Sequence, residues 1–171
     1  MINRSKYIII ACVAICCMLW GACTQERSPC LLAKVASLNI ETAHLPTDSS
    51  TTFIDTILPS AMFGAMTTAG PIQYFVSVPQ ALFTISLSPD TDSCRWMFTT
   101  DTLSNHVFDT ISFYYGRKLQ FLSNACGYTY FYNLTSVATT HHNIDSFLIE
   151  NNNVTTNVNT EHLKLYIHPD F

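Results

Sequence analysis

From Ile72 onward, hydrophobic and polar positions alternate with a period of two, the spacing of strands whose side chains point to opposite faces. Tyr74, Val76 and Val78 oppose Gln73, Phe75 and Ser77. Phe83, Ile85 and Leu87 then oppose Thr84, Ser86 and Ser88, whose hydroxyls predict one wet face. Pro89-Asp90-Thr91-Asp92 is turn chemistry and predicts a hairpin into the segment where Arg95 and Met97 oppose Trp96 and Phe98. Ile111, Phe113 and Tyr115 oppose Thr110, Ser112 and Tyr114, and Gly116-Arg117 reads as a turn into Lys118–Leu122. Further along, Tyr128, Tyr130 and Tyr132 share one side of a strand expected to be covered on both faces. Thr135 to Asn143, rich in short polar side chains that hydrogen-bond locally, reads as a loop. Asp145–Glu150 resumes a strand, Asn151-Asn152-Asn153 breaks it, and in the last strand Leu163, Leu165 and Ile167 face the core opposite His162, Lys164 and Tyr166.

The pattern is weaker before Ile72. Leu31, Leu32, Val35 and Leu38 fit a helical stripe, but Ala36, Leu38 and Ile40 also alternate with Ser37, Asn39 and Glu41, and a strand is the better match. Phe53–Ile57 is a second short strand closed by Pro59, and Ser60 to Pro71 shows no readable period. No segment after residue 23 has a long helical period. Short strands at close spacing, with 12% aromatic and 12% charged residues, predict an all-β fold, a single antiparallel β-sandwich domain.

The N-terminus has a different character. Arg4 and Lys6, with no acid, precede an apolar run from Tyr7 to Trp20 that falls short of the roughly 20 residues needed to span a bilayer, and Gly21-Ala22-Cys23 follows. This reads as a secretory signal. Leu19-Trp20-Gly21-Ala22-Cys23 resembles a bacterial lipobox, with Trp20 where a small aliphatic residue is usual, and implies cleavage before Cys23 and its acylation. The expected organisation is a lipoprotein signal peptide at 1–22, a short tether at 23–29 and one all-β domain at 30–171. Acyl chains would then hold the protein at the membrane, each buried methylene contributing about 0.8 kcal/mol.

Loss of Arg4 and Lys6 leaves 12 acids against 6 bases, which argues against a nucleic-acid partner. The same cut removes Cys12, Cys16 and Cys17. Cys30, Cys94 and Cys126 remain for an oxidising compartment, enough for one bridge and one leftover thiol. Their spacing fits no zinc pattern. The favoured pair is Cys30 with Cys126, with Cys94 a buried thiol beside Trp96 and Phe98.

Several stretches carry a family resemblance: Phe121–Gly127, Tyr132–Val137, His142–Phe147, Asn151–Val154 and Glu161–Ile167. In that order they resemble a lipoprotein family of Bacteroidetes-type bacteria known only as a domain of unknown function (DUF6452-like). The resemblance is looser from Ser77 to Tyr115. It implies a lipid-anchored protein of the cell envelope, most simply at the outer membrane, and it brings no catalytic residues.

Candidate chemistry is sparse. His141, His142, His162 and His168 are the residue types that hold zinc or copper, but adjacent histidines on an extended chain point apart, and turn or surface positions explain them better. His142 and Asp145 are expected to hold their loop by hydrogen bonds. Asp90-Thr91-Asp92 opens like a calcium loop but lacks the glycine and later glutamate that complete one. No nucleophile elbow, zincin helix or phosphate loop is present. A hydrolase would have to be built on His141, His142 and Asp145. Neither cofactor nor metal is expected, and no catalytic residue is assigned. Asp55-Thr56-Ile57, Asp101-Thr102-Leu103 and Asp109-Thr110-Ile111 resemble an Asp-Thr-aliphatic O-glycosylation acceptor, making Thr56, Thr102 and Thr110 candidate sites. Two functions remain open: a non-enzymatic β domain that binds an envelope protein or serves structurally, and a glycan or small-ligand module using Trp96, Tyr114, Tyr115 and the Tyr128–Tyr132 row.

Overall fold

A computed structural model describes residues 29–44, 52–76, 79–102 and 107–168. The leader, Cys23, most of the expected tether, Ser77, Val78 and Leu103 lie outside the described residues. The chain divides into two compact units, Met1–Cys30 and Leu31–Phe171, and every described strand lies in the second.

Among the described residues there are strands and no helix, arranged as two sheets in a sandwich. The five-stranded sheet is built on β1 (Ser37–His44), which pairs with β2 (Ile54–Asp55) and β5 (Leu82–Ser86) on one side and β11 (Leu163–Ile167) on the other, with β9 (Ile144–Ile149) beyond β11. The six-stranded sheet runs β10 (Asn153–Val154), β8 (Gly127–Thr139), β7 (Asp109–Ser123), β6 (Ser93–Thr99), β3 (Met62–Thr67), β4 (Gly70–Val76). All described pairings between strands are antiparallel except β1 with β11, where Ile40 aligns with Leu163 and Thr42 with Leu165. A parallel pair of strands so far apart in sequence must close through the rest of the domain. The pair joins the first described strand to the last.

The core lies between the sheets and is made of the alternating positions. Leu38 and Ile40, Phe83 and Ile85, Ile111 and Phe113, and Leu163, Leu165 and Ile167 are all buried, while Thr84 and Ser86 remain wet. Phe63 lies at the centre, with the Phe83 and Phe98 rings each 4.8 Å away, centroid to centroid, and tilted against it. Tilted pairs of this kind add to area burial by roughly 0.5–1.5 kcal/mol each.

Local reading fails at five places, each for a long-range reason. Ser60–Pro71 is strand: Met62–Thr67 and Gly70–Val76 form a hairpin, with Gly70 at positive φ in the turn. Phe53–Ile57 shrinks to the two residues of β2. Pro89–Asp92 is not a hairpin turn, because β5 pairs with β1 while β6 pairs with β3 and β7; the turn carries the chain from one sheet to the other. Gly116-Arg117 does not turn at all. Strand β7 runs through it, a bulge lies beside it at Tyr114/Tyr115, and the chain reverses only after Ser123, where Gly127 has positive φ. Finally, Thr135–Thr139 belongs to β8, paired with β7 from Ile111 to Tyr114, so the loop begins at Thr140.

Candidate functional site

Strands β7 and β8 form the longest hairpin of the described chain, and its two halves differ. In the half near Asp109, β7 is flanked by β6 as far as Tyr114 and its core face carries Ile111, Phe113 and Tyr115, buried beside Leu134 and Val137 of β8. The Tyr115 and Tyr132 rings meet edge to face with centroids 5.3 Å apart. They close this half against the crossover from the other sheet. The Ser88 N–H donates to the Tyr115 hydroxyl at 2.9 Å, that hydroxyl donates to the Ser88 carbonyl at 3.2 Å, and the Tyr132 hydroxyl donates to the Leu87 carbonyl at 3.4 Å. Burial lifts both tyrosine hydroxyls above their ordinary range, so they act as neutral hydrogen-bonding groups. Arg117 is the last residue held, its Nε donating to Asp92 at 2.7 Å and its Nη1 to the Pro89 carbonyl.

Beyond Arg117 the hairpin continues as a two-stranded ribbon. Cross-strand partners share a face, so the pairs Leu119–Tyr130 and Phe121–Tyr128 extend the same face that Tyr115 and Leu134 bury further back. Here nothing covers it among the described residues: Leu119 is 56% exposed, Phe121 46%, Tyr128 63% and Tyr130 37%. The expectation that the tyrosine strand is covered on both faces is corrected. Only Tyr132, which reaches the crossover, is buried. The ribbon's other face carries Lys118, Gln120 and Phe131 and borders a cleft of about 370 Å³ shared with Asn133, Asn153 and Thr155. A strap of irregular chain before β1 meets the ribbon where the Thr129 hydroxyl donates to the Lys34 carbonyl, and it leaves Leu31, Leu32 and Val35 exposed. Cys30 and Cys126 are the disulfide-capable pair. Cys94 is the free thiol among the described residues. It is half-buried, and burial raises its pKa despite hydrogen bonds with Tyr115 and the Ser88 backbone, which leaves it a poor nucleophile.

The other sequence candidates fall in different places. The loop after β8 is held by Asp109 rather than by the His142 and Asp145 side chains. Its buried carboxylate accepts from the Thr140 hydroxyl at 2.7 Å and from the backbone N–H groups of His142, Asn143 and Ile144 at 2.8, 2.6 and 3.1 Å. Asp145 instead faces His168 at 3.7 Å. His141 Nδ1 donates to the Ile144 carbonyl at 3.0 Å. His162 is not a surface histidine: it is fully buried, and its Nδ1 accepts the Asn39 N–H at 3.1 Å. Burial lowers its pKa, partly offset by the Asn153 backbone, so the ring is neutral. Among the described residues no three His, Cys, Asp or Glu side chains converge as a metal site would need. Asp90 caps its own turn by donating its N–H to the Ser88 hydroxyl, and Asp92 is engaged by Arg117. Of the glycosylation candidates, Thr56 is buried and its hydroxyl donates to the Ile54 carbonyl at 2.9 Å, while Thr102 and Thr110 are half-buried.

A second cleft, about 830 Å³, opens between β5, β6 and the β3–β4 turn. Thr67, Thr84, Ser86, Ser88 and Thr91 line it, with Asp90 and Arg95. On the far sheet, Lys164 bridges Glu41 at 3.2 Å, Asp55 at 3.0 Å and Glu161 at 3.7 Å. Burial, with the neighbouring Glu41 carboxylate adding to it, pushes Glu161 up to about 7.

Residues 72–167, more than half of the chain, match a family described as a family of unknown function, DUF6452. The chain belongs to this family. The match spans β4 to β11 and so includes the whole β7–β8 hairpin. No curated protein and no solved structure matches the chain.

Of this site, the sequence singles out Cys126 and the Tyr128–Tyr132 row, the tyrosines on a strand expected to be covered and also offered as a ligand-stacking face. Leu119 and Phe121 fall in Lys118–Leu122, which the sequence enters by an expected turn at Gly116-Arg117. The available signal is that Ile111, Phe113, Tyr115, Leu119 and Phe121 keep one phase across Gly116-Arg117, as a single long strand would. Asp109 had no local signal, since its partners lie more than 30 residues away.

Proposed function

We propose that this chain is a non-enzymatic lipoprotein of the bacterial envelope, anchored through Cys23, whose β domain uses the β7–β8 ribbon as its binding surface toward another component of the envelope. The observation that carries this reading is the uncovered ladder of Leu119, Tyr130, Phe121 and Tyr128 on a face that is core elsewhere. Contiguous exposed apolar side chains are a recurrent mark of protein or membrane interaction sites. A bond between Cys30 and Cys126 would brace the ribbon tip against the start of the domain. The signal-like N-terminus and the lipobox-like Leu19–Cys23 support the anchor.

A photo-crosslinking amino acid placed at Tyr128 in living cells tests the surface. An adduct with an envelope component at Tyr128, and none from the same group at exposed Val158, supports it; adducts at neither position or equally at both sink it. For the anchor, Cys23→Ser should leave any processed domain in the soluble fraction, and normal processing with full membrane retention would overturn it. A second reading, a glycan or small-ligand module, is favoured by the hydroxyl-rich cleft beside β5. Saturation-transfer NMR with a panel of neutral oligosaccharides would detect it, with Arg95→Ala removing the signal.

A further inference from the structure

We propose that the envelope component met by the ribbon is the lipid bilayer surface itself, with the Leu119–Tyr130 and Phe121–Tyr128 pairs seated at the headgroup boundary. This rests on the anchored, ribbon-presenting reading above and names the occupant of that same face. Three features point to lipid.

The first is the kind of side chain. Leu119 and Phe121 are apolar throughout, while Tyr128 and Tyr130 add an apolar ring with a polar tip, the combination that suits the boundary between headgroups and acyl chains. The second is charge. No acid falls between Thr110 and Ile144 or between Arg27 and Ile40, so neither the ladder's strands nor the strap carry a carboxylate for anionic headgroups to repel. The third is position. The strap meets the ribbon at Thr129, against Lys34, only eleven residues along the chain from Cys23. A chain tethered a few residues before Leu31 would hold this end of the domain near the bilayer.

The test uses full-length protein processed in a bacterial host, purified with its acyl chains and reconstituted into phosphatidylethanolamine–phosphatidylglycerol vesicles with or without brominated acyl chains. After processing the native tryptophan is Trp96, buried in the core, and the wild-type signal serves as its blank. Phe121→Trp should lose about half its added emission in brominated vesicles, since interfacial apolar groups sit roughly 5–10 Å deep. Val158→Trp, exposed elsewhere, should lose none. Tyr128→Trp repeats the measurement from the neighbouring strand should Phe121→Trp fold poorly. If the protein floats with vesicles but neither ribbon tryptophan is quenched, the lipid contact is overturned while the anchor stands. If it does not float, both fall. Adducts in cells that run to a protein in place of lipid from Tyr128 also overturn the proposal.

Discussion

The two halves of the β7–β8 hairpin have the same alternation and similar side chains, but they have opposite fates. Phe113 and Val137 face the second sheet and are buried; Phe121 and Tyr128, on the same face and with ring centroids 5.2 Å apart, are not. The difference lies in what stands opposite. The crossover at Leu87–Asp92 reaches as far as Tyr115, Tyr132 and Arg117 and then turns away into β6. Past it, a face of core composition continues with no second layer among the described residues. Burial follows from the coverage available as much as from the hydrophobicity of a strand.

The comparison can be broken most directly by truncating one ring in each half. Phe113→Ala should cost about 3–5 kcal/mol in chemical denaturation, the range for a fully buried phenylalanine. An effect below about 1 kcal/mol would mean that the inner half is not core. Asp109→Ala removes the acceptor for three backbone N–H groups at the root of the hairpin and should cost about 3 kcal/mol or more. Retention of wild-type stability there would show the loop to be held some other way. At the other end of the hairpin, Cys126→Ser should lower stability by about 2–4 kcal/mol under oxidising conditions and change little once the wild type is reduced. Cys94→Ala should have a smaller effect, and a mapped Cys94–Cys126 bridge would overturn the pairing.

A pH scan distinguishes the packed body in another way, through two adjacent groups just before β11 with opposite signs. His162 has a lowered pKa, so as pH falls below its unfolded value near 6.5 the unfolded chain takes up a proton that the native state resists, and stability is lost. Glu161 is raised from 4.5 to about 7, so its contribution is fully present below 4.5 and is lost as pH rises through 7. Between pH 4.5 and 6.5 the two offset. His162→Gln should therefore give a profile that falls with rising pH, and Glu161→Gln one that rises; parallel profiles from both variants would refute the assignment. A small effect belongs to the outer ribbon: Phe121→Ser or Tyr128→Ser should cost about 1 kcal/mol, the order of one half-exposed ring pair and well below Phe113→Ala, while weakening bilayer contact.

Much of the interior was legible without coordinates. Alternation placed Leu38, Ile40, Phe83, Ile85, Ile111, Phe113, Leu163, Leu165 and Ile167 on the core side, and all are buried, because the strand period is fixed by backbone geometry and needs no knowledge of partners. The sequence alone therefore determined the all-β class and which side of most strands is apolar. Tertiary structure decided the rest: the parallel union of β1 with β11, the use of Pro89–Asp92 as a crossover, the burial of His162 against Asn39, the capture of a loop by Asp109, and the exposure of the outer ribbon. Each depends on which distant segment lies opposite, and the local period of a strand carries no information about that.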